Sequence, residues 1–376
     1  MKSSLQGDFS RVPASRRYSG VQMQQGRVQL DADWNAQGEI LADRAEATAA
    51  DLIGPAGGPH GAAGFALIPR MALAFDGRDD FVNVPHPPVP AAGAGFTFEA
   101  WIAPRSGGSG GTVLSRTAES RTGESDACQL TVDAQGKLAF LQSGMVAPVT
   151  APNPLPAGRF SHVAAVYDGA AVTLYVDGQA VVSQSQGHPL AVLPSLFLIG
   201  ATLLDRKPSQ SFDGMIRDVL WWEVPRAPGQ LAGAAEGLLS WWPCDEVEGP
   251  VVHDRSGHGH DGQLGAGRPA SEPERTLYDL RVGAGRYYVG GVLCERPEEV
   301  PYTAQPDYPG AILPRTPGWY LAYLDVWERF VTAVQDPGLR EVALGGATTT
   351  TRTRTLAQVK LRPLTGEAEL HAPGES

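Results

Sequence analysis

Residues 162–182 read HVAAVYDGAAVTLYVDGQAVV, three apolar runs of period two separated by Asp168-Gly169 and Asp177-Gly178. Asp-Gly tolerates the positive φ of tight hairpin turns, so this stretch is expected to fold as three antiparallel arms. The same pattern extends in both directions. In FTFEAWIAP (96–104), Phe96, Phe98, Ala100 and Ile102 alternate with Thr97, Glu99 and Trp101, which describes a strand packed on both sides or near an edge. CQLTVDAQGKLAFLQ (128–142) reads as a hairpin that sets Leu130 and Val132 near Leu138 and Phe140 across a turn holding Gly136, and LFLIG (196–200) and MIRDVLWWEV (215–224) add further strands. With 45 glycines and 31 prolines in 376 residues, turn chemistry is abundant. The expected fold is mostly β: a two-sheet antiparallel jelly-roll sandwich over residues 66–235, plus a small α+β module made by an N-terminal helix and C-terminal strands.

The helix belongs to residues 1–60. Asp31 or Asp33 can cap it and Gly54-Pro55 ends it. Trp34, Ile40, Leu41, Ala45, Thr48, Ala49 and Leu52 recur at helical spacing, so this face is expected to be buried, with Trp34 in the core. LYDLRVGAGRYYVGGVLCE and WYLAYLDVWERFVTAV make residues 276–365 strand-like, with Tyr320, Ala322, Leu324 and Val326 facing away from Leu321, Tyr323, Asp325 and Trp327. These aromatics read as sheet core, with a stacking platform for sugars as the alternative. Arg352 and Arg354 share one strand face, read as solvated, with an anion or partner contact as the other reading. The tail 366–376 has no pattern and is expected to fray.

A net charge of −11 argues against nucleic-acid binding, which draws on Lys/Arg to displace counterions from phosphate. Cys128, Cys244 and Cys294 lie far apart and cannot all pair; they read as reduced, half-buried thiols. The N-terminus lacks the apolar run of a signal peptide and no stretch approaches the roughly 20 apolar residues that span a bilayer, so cytoplasmic synthesis and no membrane insertion are expected.

FDGRDDFVNVP (75–85), FTFEAWIAP, GRFSHVAAVYDGAAVTLYVDGQ (158–179), LFLIG and FDGMIRDVLWWEVPRAPGQL (212–231) resemble, in order and spacing, the blocks of laminin-G-like, concanavalin A-like jelly rolls. Two positions depart from the pattern: Phe160-Ser161 stands where Trp-His is usual, and Arg217 where an acid is usual. The resemblance implies glycan or protein binding, glucan hydrolysis in some members, and a spacer role in others. Asp76, Asp79 and Asp80 have the oxygen-rich composition that calcium takes, and the resemblance implies a structural calcium; a polar turn whose aspartates accept backbone N–H bonds uses the same residues. An approach of Arg217 would count against the cation.

Hydrolysis in such a fold needs two carboxylates some 5–9.5 Å apart, which adjacent positions on one strand face can supply. Glu99 has only Thr97 and Trp101 as same-face neighbours, whereas Glu246 and Glu248 show the spacing within a turn-rich segment. That segment, GLLSWWPCDEVEGPVVHDRSGHGHDGQL within the Gly/His-rich bridge 236–275, resembles a further block of the same family and either completes the sandwich or is a remnant of another copy. His253, His258 and His260 invite a zinc reading, but the pattern is carried by the turn scaffold Asp254, Ser256, Gly257, Gly259 and Gly262.

GDFSRVPASRRYSGVQMQQGRVQLDADWNAQ, DLIGPAGGPHGAAGF, GRYYVGGVLCE, YLAYLDVWERFVTAV and REVALGGATTTTRTRTLAQVKLRP resemble a bacterial family associated with phage tails and phage-tail-like contractile injection systems. The jelly roll separates these blocks as an inserted domain would. No P-loop or H-E-x-x-H motif appears. The expected function is a non-enzymatic structural and recognition component of such a particle, fibre- or baseplate-associated. Its partners would be other particle subunits and a cell-surface glycan or protein, and release with the particle would make it extracellular. Residues 1–60 and 276–365 would form the anchor, and the resemblance implies a homotrimer, with isologous dimers the general default for soluble oligomers. The alternative is a carbohydrate-active enzyme or free lectin.

Overall fold

A computed structural model describes residues 17–88, 95–105, 110–120, 123–142, 145, 147–185, 196–204, 207–226, 236–314 and 318–366. The chain divides into two compact units, Arg70–Tyr278 and the combination of Met1–Pro69 with Asp279–Ser376. The tail expected to fray, 366–376, lies from residue 367 on outside the described residues.

The Arg70–Tyr278 unit is a sandwich of antiparallel sheets. In chain order its main strands are β1 (Leu67–Asp76), β2 (Val82–Val84), β3 (Phe96–Pro104), β4 (Gly111–Ser120), β5 (Gly123–Val132), β6 (Lys137–Gln142), β7 (Val149–Pro154), β8 (Ser161–Tyr167), β9 (Ala171–Val176), β10 (Gln179–Ser185), β11 (Leu196–Ile199), β12 (Asp213–Trp222), β13 (Leu238–Trp242), β14 (Val251–Val252) and β15 (Gly262–Leu264). One sheet runs β10-β9-β8-β3-β12-β1, with β13 also on β12; the other runs β14-β15-β2-β11-β4-β5-β6-β7. The turn chemistry read from the sequence operates as expected. Asp177 and Gly178 take φ of 49° and 78°, both positive as a type I′ turn requires. At the other bend the Asp168 carboxylate accepts the N–H groups of Ala170 and Ala171 at 2.9 and 2.7 Å. Leu130 pairs with Phe140 and Val132 with Leu138.

The alternating residues of both sheets meet in one core. Phe98, Ile102, Val163, Leu174, Ile216 and Trp221 come from the first sheet, and Val82, Leu114, Leu130, Phe140 and Phe197 from the second. Phe197 stacks between Trp221 and Trp242, at 5.2 and 5.1 Å between ring centroids, so the sheets are joined by aromatic area as well as by aliphatic burial. Strand β3 is packed on both faces: Phe98, Ala100 and Ile102 inward, Thr97 and Glu99 fully buried on the other side. The bridge adds β13 to one sheet, with Trp241 opposite Leu220, and β14 and β15 to the other, with Gln263 opposite Asn83. The compact unit runs to Tyr278 and includes the bridge 236–275.

In the terminal unit, the helix α1 (Asp31–Ile53) lies against the hairpin of β16 (Gly285–Val289) and β17 (Val292–Arg296). The long strands β18 (Tyr320–Val331) and β19 (Arg352–Pro363) pair along their full length. Phe65, Leu280, Val282, Cys294, Tyr302 and Val359 build a separate core there. Gly54 ends the helix as expected, with φ 92°. Two expectations for the helix fail. Leu30, not an aspartate, occupies the cap position, and Asp31 and Asp33 sit in the first turn, where carboxylates complement the helix dipole. The buried face is Ala32, Ala36 and Ile40, while Trp34 is 69% exposed and Leu41 and Leu52 also face outward. Toward its C-terminal half the helix backbone rests on the hairpin turn, since a Cβ at Gly291 would lie 2.0 Å from the Glu46 carbonyl oxygen.

Candidate functional site

A surface on the outer face of the β3-β12 sheet is built by one irregularity in β12. Pairing with β3 slips between Arg217 and Leu220, a β-bulge, and Asp218 within it holds φ 48°. Positive φ at a non-glycine residue carries a cost of about 1 kcal/mol or more and recurs at binding sites. The bulge leaves Ile216, Val219 and Trp221 in the core and turns Arg217 outward. Arg217 stands opposite Trp101, which stands opposite His162 in β8, so three strands contribute one cross-strand row.

The Arg217 guanidinium carbon lies 4.6 Å from the Trp101 ring centre and 5.0 Å from those of Phe160 and Tyr278; the last two rings are 4.7 Å apart. Nη1 of Arg217 pairs with the Asp218 carboxylate, whose other oxygen accepts from Trp241 Nε1 at 3.3 Å. Trp101, Phe160, Arg217, Asp218, Trp241 and Tyr278 are all half-buried and so remain reachable. The result is a rigid aromatic surface with a fixed cation and anion at its centre, each cation–π contact contributing about 0.5–2 kcal/mol.

Beside it the same sheet face hides charge. Glu99 is fully buried, its carboxylate 3.1 Å from His162 Nε2 and 3.3 Å from Arg226 Nε. The 223–226 segment is held over the strand by Thr97, whose hydroxyl donates to the Val224 carbonyl and accepts the Arg226 N–H. Arg226 lies 3.6 Å above Trp222. Burial lowers its pKa and the charge of Glu99 opposes that shift. No local pattern announces this cluster, because its members are far apart in sequence; the polar alternate positions of FTFEAWIAP were its only trace.

The acidic cluster lies in the turn between β1 and β2. Asp80 Oδ2 accepts the Asp76 N–H at 2.9 Å, Asp76 Oδ1 accepts the Arg78 N–H at 2.8 Å, and Asp79 Oδ2 accepts from the Ser271 hydroxyl at 2.7 Å. These carboxylates serve the turn, and among the described residues no group of three or more His, Cys, Asp or Glu is placed to hold a metal ion. Arg217 is engaged in its aromatic surround.

In the bridge, Asp254 accepts from the N–H groups of Trp241, Ser256 and His260 and from the Ser256 hydroxyl, as its place in the turn scaffold implies. His253 pairs with Asp261 at 3.2 Å, while Nδ1 of His258 and of His260 lie 2.9 and 3.2 Å from the Leu239 carbonyl. Glu246 is occupied by Arg275 at 3.3 Å and by the His253 N–H, which leaves Glu248 exposed and the two carboxylates in different environments. The three cysteines form no disulfide with one another and are buried, not half-buried. Arg352 and Arg354 are exposed on β19.

Residues 76–232 match the family model of the concanavalin A-like lectin/glucanases superfamily, in its laminin-G form. The sandwich is thus a domain of that superfamily. Residues 5–84 and 266–371 match a family of unknown function (DUF6519), so the two matches interleave along the chain. Among solved structures, a candidate carbohydrate-binding protein of Bacteroides ovatus is similar at 19% identity and TM-score 0.42, over 56% of this chain and 60% of that one. The heptameric SAP-like pentraxin of Limulus polyphemus is similar at 16% identity and TM-score 0.37, over 45% and 83%. The CBM40 module of the Ruminococcus gnavus IT-sialidase, bound to α2,3-sialyllactose, is similar at 11% identity and TM-score 0.35, over 45% and 97%. The chain spans less than two thirds of the Bacteroides protein. No curated protein matches it.

Proposed function

We propose that this protein is a non-enzymatic recognition component of a larger assembly, a phage-tail-like contractile injection particle, in which the sandwich binds carbohydrate and the terminal unit anchors the chain. The observation that carries the binding role is the half-buried row of Trp101, Arg217, Phe160 and Tyr278 around a strained bulge, on a domain of the lectin/glucanase superfamily. A pyranose has apolar C–H faces and hydroxyl edges. Aromatic rings take the first, and a neighbouring Arg217–Asp218 pair can donate to and accept from the second. The absence of catalysis is supported by the occupied state of Glu246 and by the enclosure of Glu99 between His162 and Arg226. The experiment is a glycan array probed with the full chain, followed by a reducing-end assay on each glycan retained. Retention of a defined glycan without new reducing ends is expected; hydrolysis would make it an enzyme, and no retention would remove the carbohydrate role.

A further inference from the structure

Trp34, Gly38, Leu41, Ala45, Thr48 and Leu52 recur at alternating spacings of four and three along α1, and all are exposed, Leu41 at 57% and Leu52 at 82%. At about 100° per residue they fall within roughly 80° of arc and run about 27 Å along the axis, opposite the buried Ala32, Ala36 and Ile40. Alternating three and four is the spacing of a coiled-coil seam. The helix therefore carries a second, exposed apolar stripe, open along Trp34, Gly38 and Leu41 and bordering a shallow cavity beside Tyr288 of β16 at Ala45, Thr48 and Leu52.

We propose that this stripe is a self-association seam, through which two copies of the chain pair antiparallel about a two-fold axis at the level of residue 43. In that register every position of the seam meets another: Trp34 packs on Leu52 of the partner subunit, Gly38 on the partner's Thr48, and Leu41 on the partner's Ala45. Large groups face small ones in the central layers, as close packing requires. A parallel pair would set Gly38 on the partner's Gly38 and Ala45 on the partner's Ala45, leaving gaps beside two stacked indoles. An antiparallel shift of one heptad would join Arg44 to Asp51 of the partner subunit, but would leave Trp34 in water. Exposed ion pairs contribute little, whereas an indole buries about 150–250 Å², so the unshifted register prevails.

The occupant is a second copy because in the reversed register Leu41 falls opposite the partner's Ala45, and Thr48 opposite the partner's Gly38, so large side chains meet small ones. The surrounding surface agrees: of the large apolar side chains exposed among the described residues, only Leu204, Val224 and Val247 belong to the sandwich unit, and the rest lie in the terminal unit. Trp34, Leu41 and Leu52 offer about 400 Å² per copy, roughly half the ~800 Å² of a standard interface. The pair is accordingly weak and reversible.

Sedimentation equilibrium of the full chain up to about 100 μM is expected to show a monomer–dimer equilibrium with a micromolar Kd. Leu41→Glu is expected to stay monomeric over that range with unchanged far-UV circular dichroism and Tm. A native chain that remains monomeric, a trimer, or a dimer indifferent to Leu41→Glu overturns the proposal. Should that variant fail to fold, mixed Leu41→Cys and Ala45→Cys chains provide the second reading, since the native cysteines are buried. A disulfide between the two variants, without self-linking of Leu41→Cys alone, is expected; self-linking of Leu41→Cys, or no cross-link in the mixture, overturns the seam as drawn.

Discussion

Asp80 shows how a turn can carry a charge it would be more stable without. Burial pushes its carboxyl up to about 6; the Asp76 N–H opposes the shift, and the charges of Asp76 and Asp79 add to it. The folded value lies above the ordinary 3.8, so between roughly pH 4 and 6 the native state holds a proton that the unfolded chain has lost. Stability is therefore predicted to fall as pH rises through that window and to level off above it. Asp80→Asn should raise stability at pH 7.5 by about 1–3 kcal/mol and remove the slope, read by urea denaturation across pH. Millimolar calcium should leave Tm unchanged; a large calcium-dependent rise would restore the cation reading of Asp76, Asp79 and Asp80. Gly200 is constrained differently: at φ 87°, its Cβ would lie 2.0 Å from the Phe75 ring in the core. Gly200→Ala is predicted to cost about 3 kcal/mol or more in denaturant titrations, and a loss under 1 kcal/mol would mean that Phe75 can move aside. Among site residues, Phe160 and Arg217 were visible in the sequence as departures from the jelly-roll pattern. Trp101 was visible only as a strand residue, and its meeting with Tyr278 depends on tertiary pairing that no local spacing encodes.

At the scale of elements, legibility follows the range of the interactions. The 168–169 and 177–178 bends and the 130–140 hairpin are local, so dipeptide chemistry and period two place them correctly. Periodicity also located α1 but chose the wrong side, because spacing reveals a stripe without saying which neighbour approaches it. The bridge is an intermediate case, in which the repeated Asp254 and Ser256 were read as scaffold and the structure shows what they hold. The Asp254 side chain is completely buried; burial alone would raise its pKa, yet hydrogen bonds from Trp241, Ser256 and His260 bring it below the ordinary value. That sign makes its contribution present above about pH 4 and lost as pH falls below. Asp254→Ala is predicted to cost about 2–4 kcal/mol at neutral pH, since it leaves buried donors on β13 and the turn unpaired. A change within 0.5 kcal/mol would show that water replaces the carboxylate.

For the whole molecule, the two compact units differ in what they present to solvent. The sandwich closes a continuous core and exposes little large apolar surface, whereas the terminal unit exposes most of it. A closed domain carrying a half-buried aromatic surface suits recognition, and a unit with exposed apolar area suits assembly. The interleaving of two sets of sequence blocks was legible in the sequence, and the family matches interleave likewise. What the sandwich touches was not legible, since superfamily blocks specify strands and turns and leave ligand contacts to a few surface positions. The most direct measurement is titration calorimetry of the full chain and of Trp101→Ala against a glycan retained on the array, with far-UV circular dichroism confirming that both fold. Trp101→Ala is expected to weaken binding about tenfold or more, the loss of one ring contact worth roughly 1–2 kcal/mol; an unchanged Kd in a folded Trp101→Ala chain would place recognition elsewhere and contradict the role given to this surface.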